Sequence, residues 1–362
     1  MKKSLLALAV LGTFAGVASA QSTVTLFGVV DLNARQVKNG SNESLKTLST
    51  DGNASSRLGF RGVEDLGGGL SAAFWLEAGL NADVGTAGGG NGNYNANAAA
   101  TGAVAGSPGA FFNRRSTVAL LGGWGELRLG RDYTPAFWNT TIFDPFGTNG
   151  VAAFTNLSIN GLGTLGSNSY VRANNTIGYF LPSNLGGLYG QVQTSAGEGN
   201  GAVGDSNKQT SGRIGYAAGP FNIAVSHGQT KTLPDNWKHS NVAGSWNFGF
   251  LNLMAQYDIL KAGTREQKTY LIGTVVPLGQ GEFKFAYAKA DQDGTTAALD
   301  GADADQIGVG YVYNLSKRTA MYGHYARIKN KNTTAAFAIG GGAGSAAGAT
   351  SKGFEVGVRH SF

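Results

Sequence analysis

Cysteine is absent from this chain of 362 residues, and histidine occurs only four times. Without cysteine there is no small disulfide-stapled fold, even in a compartment that permits disulfides. His227, His239, His324 and His360 lie far apart and show no metal-ligand spacing such as H-x-x-x-H. Charge is scarce as well: 14% of residues are Asp, Glu, Lys or Arg, against roughly a quarter in an ordinary soluble domain. The net charge of +6 is too mild to point to nucleic acid. No G-x-S-x-G elbow is present, and no histidine neighbours a convincing nucleophile, so a hydrolase is not indicated. Gly67, Gly68 and Gly69 read as a tight turn between strands, without the helix that phosphate binding demands. Residues 88–97 are rich in Asn and Gly, but with no carboxylate beyond the nearby Asp83 they make a poor Ca²⁺ cage. No catalytic residues, cofactor or metal site are therefore assigned.

Long apolar runs are missing too, apart from one at the start. Lys2 and Lys3 precede an apolar stretch at residues 5–17, and Ala18-Ser19-Ala20 has the small-residue pattern of a cleavage site. Residues 1–20 are read as a secretion signal peptide and residues 21–362 as the mature chain, which without Lys2 and Lys3 carries +4 rather than +6. The apolar stretch is short for a membrane-spanning helix, which needs about twenty residues. No later segment approaches the ~18 uninterrupted apolar residues of such a helix. Strands that cross a membrane would not show such runs, because their hydrophobicity alternates.

Glycine is abundant: 58 residues, about 16% against a typical ~7%. There are also 13 Tyr and 19 Phe. Glycine-rich disorder is the rival reading, but a hydrophobic content of 42% in patterned segments counts against it. Phe283, Phe285 and Tyr287 alternate with Glu282, Lys284 and Ala286. Ile307, Val309, Tyr311 and Tyr313 oppose Gln306, Gly308, Gly310 and Asn314, and Phe354, Val356, Val358 and Phe362 oppose Gly353, Glu355, Arg359 and Ser361. In a soluble sandwich the apolar face would be core. In a membrane barrel it would meet lipid, with the polar face lining a lumen. Alternation alone leaves both open.

The connections separate them. Short turns recur at residues 65–69, 122–125, 183–187, 219–220, 248–250, 279–281 and 315–318. Longer polar stretches lie between them, at 38–54, 85–111, 134–173, 197–209 and 329–351. Seven short turns alternating with eight longer loops join sixteen strands. The resulting expectation is an all-β, antiparallel transmembrane barrel with short periplasmic turns and long external loops. About sixteen strands leave an aqueous channel rather than a filled core. The low-complexity runs at 85–109 and 335–349 are then loops, not interdomain linkers.

Several motifs resemble a known family, the trimeric sixteen-stranded general porins of Gram-negative bacteria. Ser22-Thr-Val-Thr-Leu-Phe-Gly-Val-Val-Asp31 looks like that family's first strand, and Ser56-Arg-Leu-Gly-Phe-Arg-Gly-Val-Glu-Asp-Leu-Gly-Gly-Gly-Leu70 like its second strand and first turn. Asn113-Arg-Arg-Ser116, Leu129-Gly-Arg-Asp132, Arg172-Ala-Asn-Asn175 and the terminal Gly357-Val-Arg-His-Ser-Phe362 follow in order. The resemblance implies a homotrimer in outer-membrane lipid and lipopolysaccharide that passes small hydrophilic solutes and inorganic ions by diffusion. It implies a third external loop, here residues 134–173, folded into the lumen, with Asp144-Pro-Phe-Gly147 at its tip. It also implies that Phe362 is an assembly signal.

Carried over motif by motif, the pore constriction comprises Arg57, Arg114 and Arg172, with Glu77 of the F-W-L-E stretch and Asp144 of the loop as the facing acids. Alternation agrees in part. Placing Leu58 and Phe60 on lipid turns Arg57 and Arg61 inward, and Phe74 and Leu76 outward turn Glu77 inward. For Arg114 and Arg115 the register changes downstream, as at a bulge, and which of them lines the lumen stays open. Arg128 and Arg131 fall on opposite faces of one strand; Arg61 and Arg131 are kept as further lumen charges. Three arginines against one or two acids suggest a mild anion preference. A loop-based adhesin and a solute-specific channel are the alternatives.

Overall fold

The computed structural model describes residues 23–88, 111–159, 171–197, 208–231, 235–294, 300–331, 337–341 and 348–362. The leader read at residues 1–20 lies outside these, as does most of the Asn- and Gly-rich stretch. Among the described residues no helix is long and apolar enough to cross a membrane.

β1 (Thr23–Asn39) rises from the short-turn end. β2 (Leu45–Thr50) and β3 (Arg57–Gly67) then descend along one edge of it: Leu32–Val37 pair with β2 and Thr23–Val29 with β3. The two are halves of a single stave, parted by a lobe at residues 51–56. The buried Asp31 carboxylate holds that lobe, accepting the N–H groups of Gly52, Asn53 and Ala54 at 3.1, 3.0 and 2.8 Å. β4 (Leu70–Asn81) carries the two-residue β5 (Thr86–Ala87) on its upper end, and β6 (Arg115–Gly122) and β7 (Gly125–Tyr133) follow. The third upper connection contains α1 (Pro135–Ile142) and α2 (Thr155–Ser158).

The wall continues through β8 (Arg172–Phe180), β9 (Leu188–Ser195), β10 (Gln209–Ala218), β11 (Phe221–Thr230), β12 (Trp237–Asn247) and β13 (Asn252–Ala262). It ends with β14 (Arg265–Leu278), β15 (Gly281–Asp293), β16 (Ala304–Asn314), β17 (Thr319–Asn330) and β18 (Thr350–Ser361). β18 pairs antiparallel with β1 from Val29↔Ser361 to Asn39↔Ser351, so the sheet closes on itself. Counting β2–β3 as one stave and setting β5 aside, the barrel has sixteen strands, closed by the β1–β18 pairing.

Which face meets which solvent is settled by burial. On β15, Phe283 and Tyr287 are exposed on the outside, while Lys284, Ala286 and Ala288 are buried inside. Outward Ile214, Val225, Ile272, Ile307, Val356 and Val358 are exposed, whereas Asp31, Asp258, Gln267, Gln306 and Glu355 are almost fully buried within. An apolar exterior around a polar interior is stable only where the outer solvent is hydrocarbon.

All seven short turns fall where the sequence placed them, all at one end. The other end departs in two places. Residues 38–54 were expected to be loop, yet only 40–44 connect β1 to β2, because outward Leu48 sits opposite Ala34 and extends the alternating sheet. The upper connection from β13 to β14 is just Gly263–Thr264, closed by Gly263 at φ +61°.

Candidate functional site

The third upper connection runs inside the barrel. Thr134 begins α1, its hydroxyl accepting the Phe137 N–H at 3.2 Å, with Pro135 in the first turn where its missing donor costs nothing. Beyond α1, Phe143, Phe154 and Leu157 are fully buried. The loop packs on a bed of small inward residues: Ala286, Ala288 and Ala290 of β15, Ala304 and Gly308 of β16, and Gly353 of β18. A Cβ on Gly308 would come within 2.7 Å of Ala152, and one on Gly353 within 2.9 Å of Val151. Polar staples fix the rest. Glu355 Oε1 accepts the Val151 N–H at 3.0 Å, and Gln306 Nε2 donates to the Ala152 and Ala153 carbonyls at 3.0 and 3.1 Å.

Asp144 belongs to this packing rather than to the lumen. Its carboxylate, 3% exposed, accepts the N–H groups of Phe146, Thr148 and Phe154 at 3.0, 2.9 and 3.0 Å. Burial pushes the carboxyl above its usual range, against the downward pull of the three amides. The structure does not bring it beside the arginines.

The arginines stand on the opposite part of the wall, where Arg57, Glu77, Arg114 and Arg172 come together. Arg114 Nε donates to Glu77 Oε1 at 2.5 Å, and Arg57 Nη1 lies 3.8 Å from the same oxygen. Trp75 Nε1 holds Glu77 Oε2 at 3.0 Å. Tyr133, which the sequence reading missed, ties in the third cation. Its hydroxyl accepts from Arg114 Nη2 and from Arg172 Nη2, each at 2.9 Å, while the Arg172 guanidinium lies 4.4 Å from its ring centre. Arg172 Nε also donates to the Arg114 carbonyl at 2.9 Å. Two guanidiniums thus meet one carboxylate, and a third is tied to them through Tyr133.

Arg114 and Arg115 both point inward, which strict alternation forbids. Arg115 is the register partner of Glu77, and the Arg114 N–H also bonds the Glu77 carbonyl, at 3.1 Å, so two residues oppose one. That is a bulge. Arg115 packs over the Trp75 ring at 4.6 Å and lies 3.7 Å from Asp132. Arg128 bridges Glu126 and Asp132 at 2.6 and 2.5 Å. This neighbouring cluster balances two cations with two acids. It contains Arg128 and not Arg131, which is 8% exposed and donates to the Asn113 carbonyl at 2.7 Å and to the Asn174 side chain. Arg61 is exposed on the inner face, its guanidinium 5.3 and 5.2 Å from the rings of Phe27 and Trp75.

Arg213 was missed as well. It lies on the inward face of β10, 5.0 Å from the Tyr189 ring and 6.0 Å from Trp138 of α1. Among the described residues no carboxylate is within ion-pair distance of it. The outward Ile214 and Tyr216 beside it carry the signal that could have found it.

A closed sixteen-strand barrel with an internal third loop and a cationic wall is matched across residues 7–333 by the model of one family, described as Gram-negative porin. The chain belongs to that family. It is 39% identical to outer membrane porin protein 32 of Delftia acidovorans over the full length of both proteins. It is 29% identical to an outer membrane porin protein of Bordetella pertussis, covering 91% of this chain and 95% of that one. Among solved structures, an anion-selective porin from Comamonas acidovorans superposes with a TM-score of 0.79 at 36% identity, over 94% of this chain and all of the other. The porin's place is the Gram-negative outer membrane, where its lumen is a path for passive diffusion.

Proposed function

We propose that this porin is an anion-leaning diffusion channel whose selectivity comes from Arg57, Arg114 and Arg172, moderated by Glu77. One observation carries the reading: Arg57, Arg114 and Arg172 cluster on the lumen wall, and among the described residues Glu77 is the one carboxylate within ion-pair distance of them. The loop acid Asp144, turned into its own backbone amides, adds no opposing charge there. A cationic constriction raises the local concentration of anions and repels cations. Arg213, Arg61 and the charge-balanced pair Arg115 and Arg128 extend the path without reversing its sign. The relative described as an anion-selective porin supports the same polarity.

The mature chain in this reading is residues 21–362, exported by the leader at 1–20 and assembled as a homotrimer in outer-membrane lipid. Phe362 acts as the assembly signal; its backbone N–H and C=O pair with Gly28 at 3.1 and 3.2 Å, at the seam that closes the barrel. Replacing both Arg57 and Arg114 with Gln tests the constriction. The anion-to-cation permeability ratio, read from the reversal potential under a salt gradient, should fall. An unchanged ratio would overturn the residue roles.

A further inference from the structure

We infer that a pocket on the inner wall, just below the constriction, binds small aromatic monocarboxylates on their way through the pore. The inference deepens the diffusion-channel reading and rests on it, but not on the charge assigned to Arg57, Arg114 and Arg172. The pocket is a cavity of about 300 Å³ on the short-turn side of Glu77, at the small end of the ~300–1,000 Å³ usual for small-molecule sites. Its upper row is Thr25, Arg61, Trp75 and Thr117, each the register partner of the next across β1, β3, β4 and β6. Its lower row is Val63, Ala73 and Ala119, again successive register partners. Trp75 stands two residues below Glu77, about 7 Å along the strand, so the pocket lies beneath the arginine cluster rather than within it.

The cation that receives the carboxylate is Arg61. Among the described residues no acid lies within ion-pair distance of it, whereas Arg57, Arg114, Arg115 and Arg128 each have one. The Arg61 guanidinium lies 5.2 Å from the Trp75 ring centre and 5.3 Å from that of Phe27. Stacking on ring faces orients the guanidinium plane and leaves its N–H edge to grip a carboxylate with two parallel bonds. Arg115 reaches over the same indole from the other flanking strand, at 4.6 Å, but is already committed to Thr117 at 3.1 Å and to Asp132 at 3.7 Å.

The floor beneath Arg61 is apolar. Val63 shares the Arg61 face by alternation and is 55% exposed, an aliphatic side chain turned to the water of the lumen. Ala73 and Ala119 continue that row without a polar side chain. A bare inorganic anion gains nothing from such a surface. A ring carried by the carboxylate covers it and packs against Trp75, removing apolar area from water. The acids nearby set the charge of the ligand. Glu126 borders the pocket and Asp132 shares Arg115. Each repels a second negative charge, which favours a monoanion over a dianion.

The test titrates single channels of the full-length porin with benzoate and reads the half-blocking concentration, with acetate and terephthalate as controls. Wild-type current should fall saturably with benzoate, and much less with acetate, which lacks the ring, or with terephthalate, which carries a second charge. Arg61→Gln should raise the half-blocking concentration of benzoate about tenfold, as expected for losing a charge-assisted contact. Val63→Asn should raise it about threefold by removing apolar contact. Both side chains are exposed in the lumen, so both variants should fold, and either one alone tests the site. Block by acetate or terephthalate equal to that by benzoate, or block unchanged in the variants, would overturn the pocket. The zero-current potential of the same channels separates this site from the constriction. A wild type that prefers anions yet shows no saturable benzoate block loses the pocket alone. One that prefers cations, with a block that Arg61→Gln relieves, keeps the pocket and loses the constriction roles.

Discussion

The Arg114 guanidinium meets the Glu77 carboxylate at 2.5 Å, and the two share an oxygen with Arg57 at 3.8 Å. This contact sets the local charge balance. Glu77 offsets one of the three constriction arginines, and its removal leaves all three without an acid at ion-pair distance among the described residues.

Glu77→Gln should therefore raise the anion-to-cation permeability ratio severalfold. Two unit charges about 4 Å apart in a water-like medium interact by ~1 kcal/mol, so losing one carboxylate from the eyelet is worth about that much per ion. Reversal potentials of the variant and the wild type in the same salt gradient check it. A fall in the ratio would contradict the role given to Glu77.

Tyr133→Phe should loosen the arginines without removing their charge. Arg114 and Arg172 lose a shared acceptor, a loss of about 1 kcal/mol for each hydrogen bond. Selectivity should stay close to wild type while open-channel current noise increases. A large change in selectivity would show that the hydroxyl does more than position the two guanidiniums.

Asp144→Ala should disorder the internal loop rather than strengthen anion preference. Three N–H groups lose their acceptor, and each buried donor left unsatisfied costs about 1–3 kcal/mol. Flickering conductance and faster proteolysis within residues 134–159 are expected. A clean rise in anion preference like that of Glu77→Gln would place the Asp144 charge in the lumen instead.

Gly308→Val should crowd the bed on which the loop lies, because even a Cβ there would come within 2.7 Å of Ala152. Overpacking of this kind costs about 1–3 kcal/mol. With the wall closed into a barrel, the loop should yield into the lumen, and single-channel conductance should drop while the barrel still folds. An unchanged conductance would mean that the loop is not seated against β16.

Arg213→Gln should lower anion preference with little effect on barrel stability, since among the described residues no carboxylate lies within ion-pair distance of this cation. The same reversal-potential assay decides, alongside the thermal unfolding temperature. A strong loss of stability would make Arg213 a structural residue.

Much of this architecture was legible in the sequence. The period-two alternation of Phe283, Phe285 and Tyr287 marked one apolar face, which the alternation of short and long connections assigned to lipid, and Gly279 at φ +62° and Gly249 at φ +86° mark turns that glycine makes possible. Arg57 and Glu77 followed from the same alternation on regular strands. Where the backbone leaves the regular pleat, that reasoning ran out. The bulge opposite Glu77 turns Arg114 and Arg115 to one side, and the irregularity between Gly130 and Asp132 put Asp132 among the lumen charges and Arg131 into a buried contact with Asn113. Asp144 was expected as a pore acid because Asp144-Pro-Phe-Gly147 resembles the family's constriction-loop tip; only the fold of residues 143–154 shows that three backbone amides claim it. The small inward residues of β15–β18 were visible as glycine and alanine, but what they make room for comes from residues more than a hundred positions away.

The most direct test of the cationic constriction is the zero-current potential of the wild-type channel across a KCl gradient, measured at low salt and again near 1 M. Exposed charges act over a Debye length of about 10 Å at 0.1 M and ~3 Å at 1 M. An anion-selective potential at low salt that shrinks towards zero at high salt is the expected result. A cation-selective potential, or an anion preference indifferent to ionic strength, would contradict selectivity by the Arg57, Arg114 and Arg172 wall.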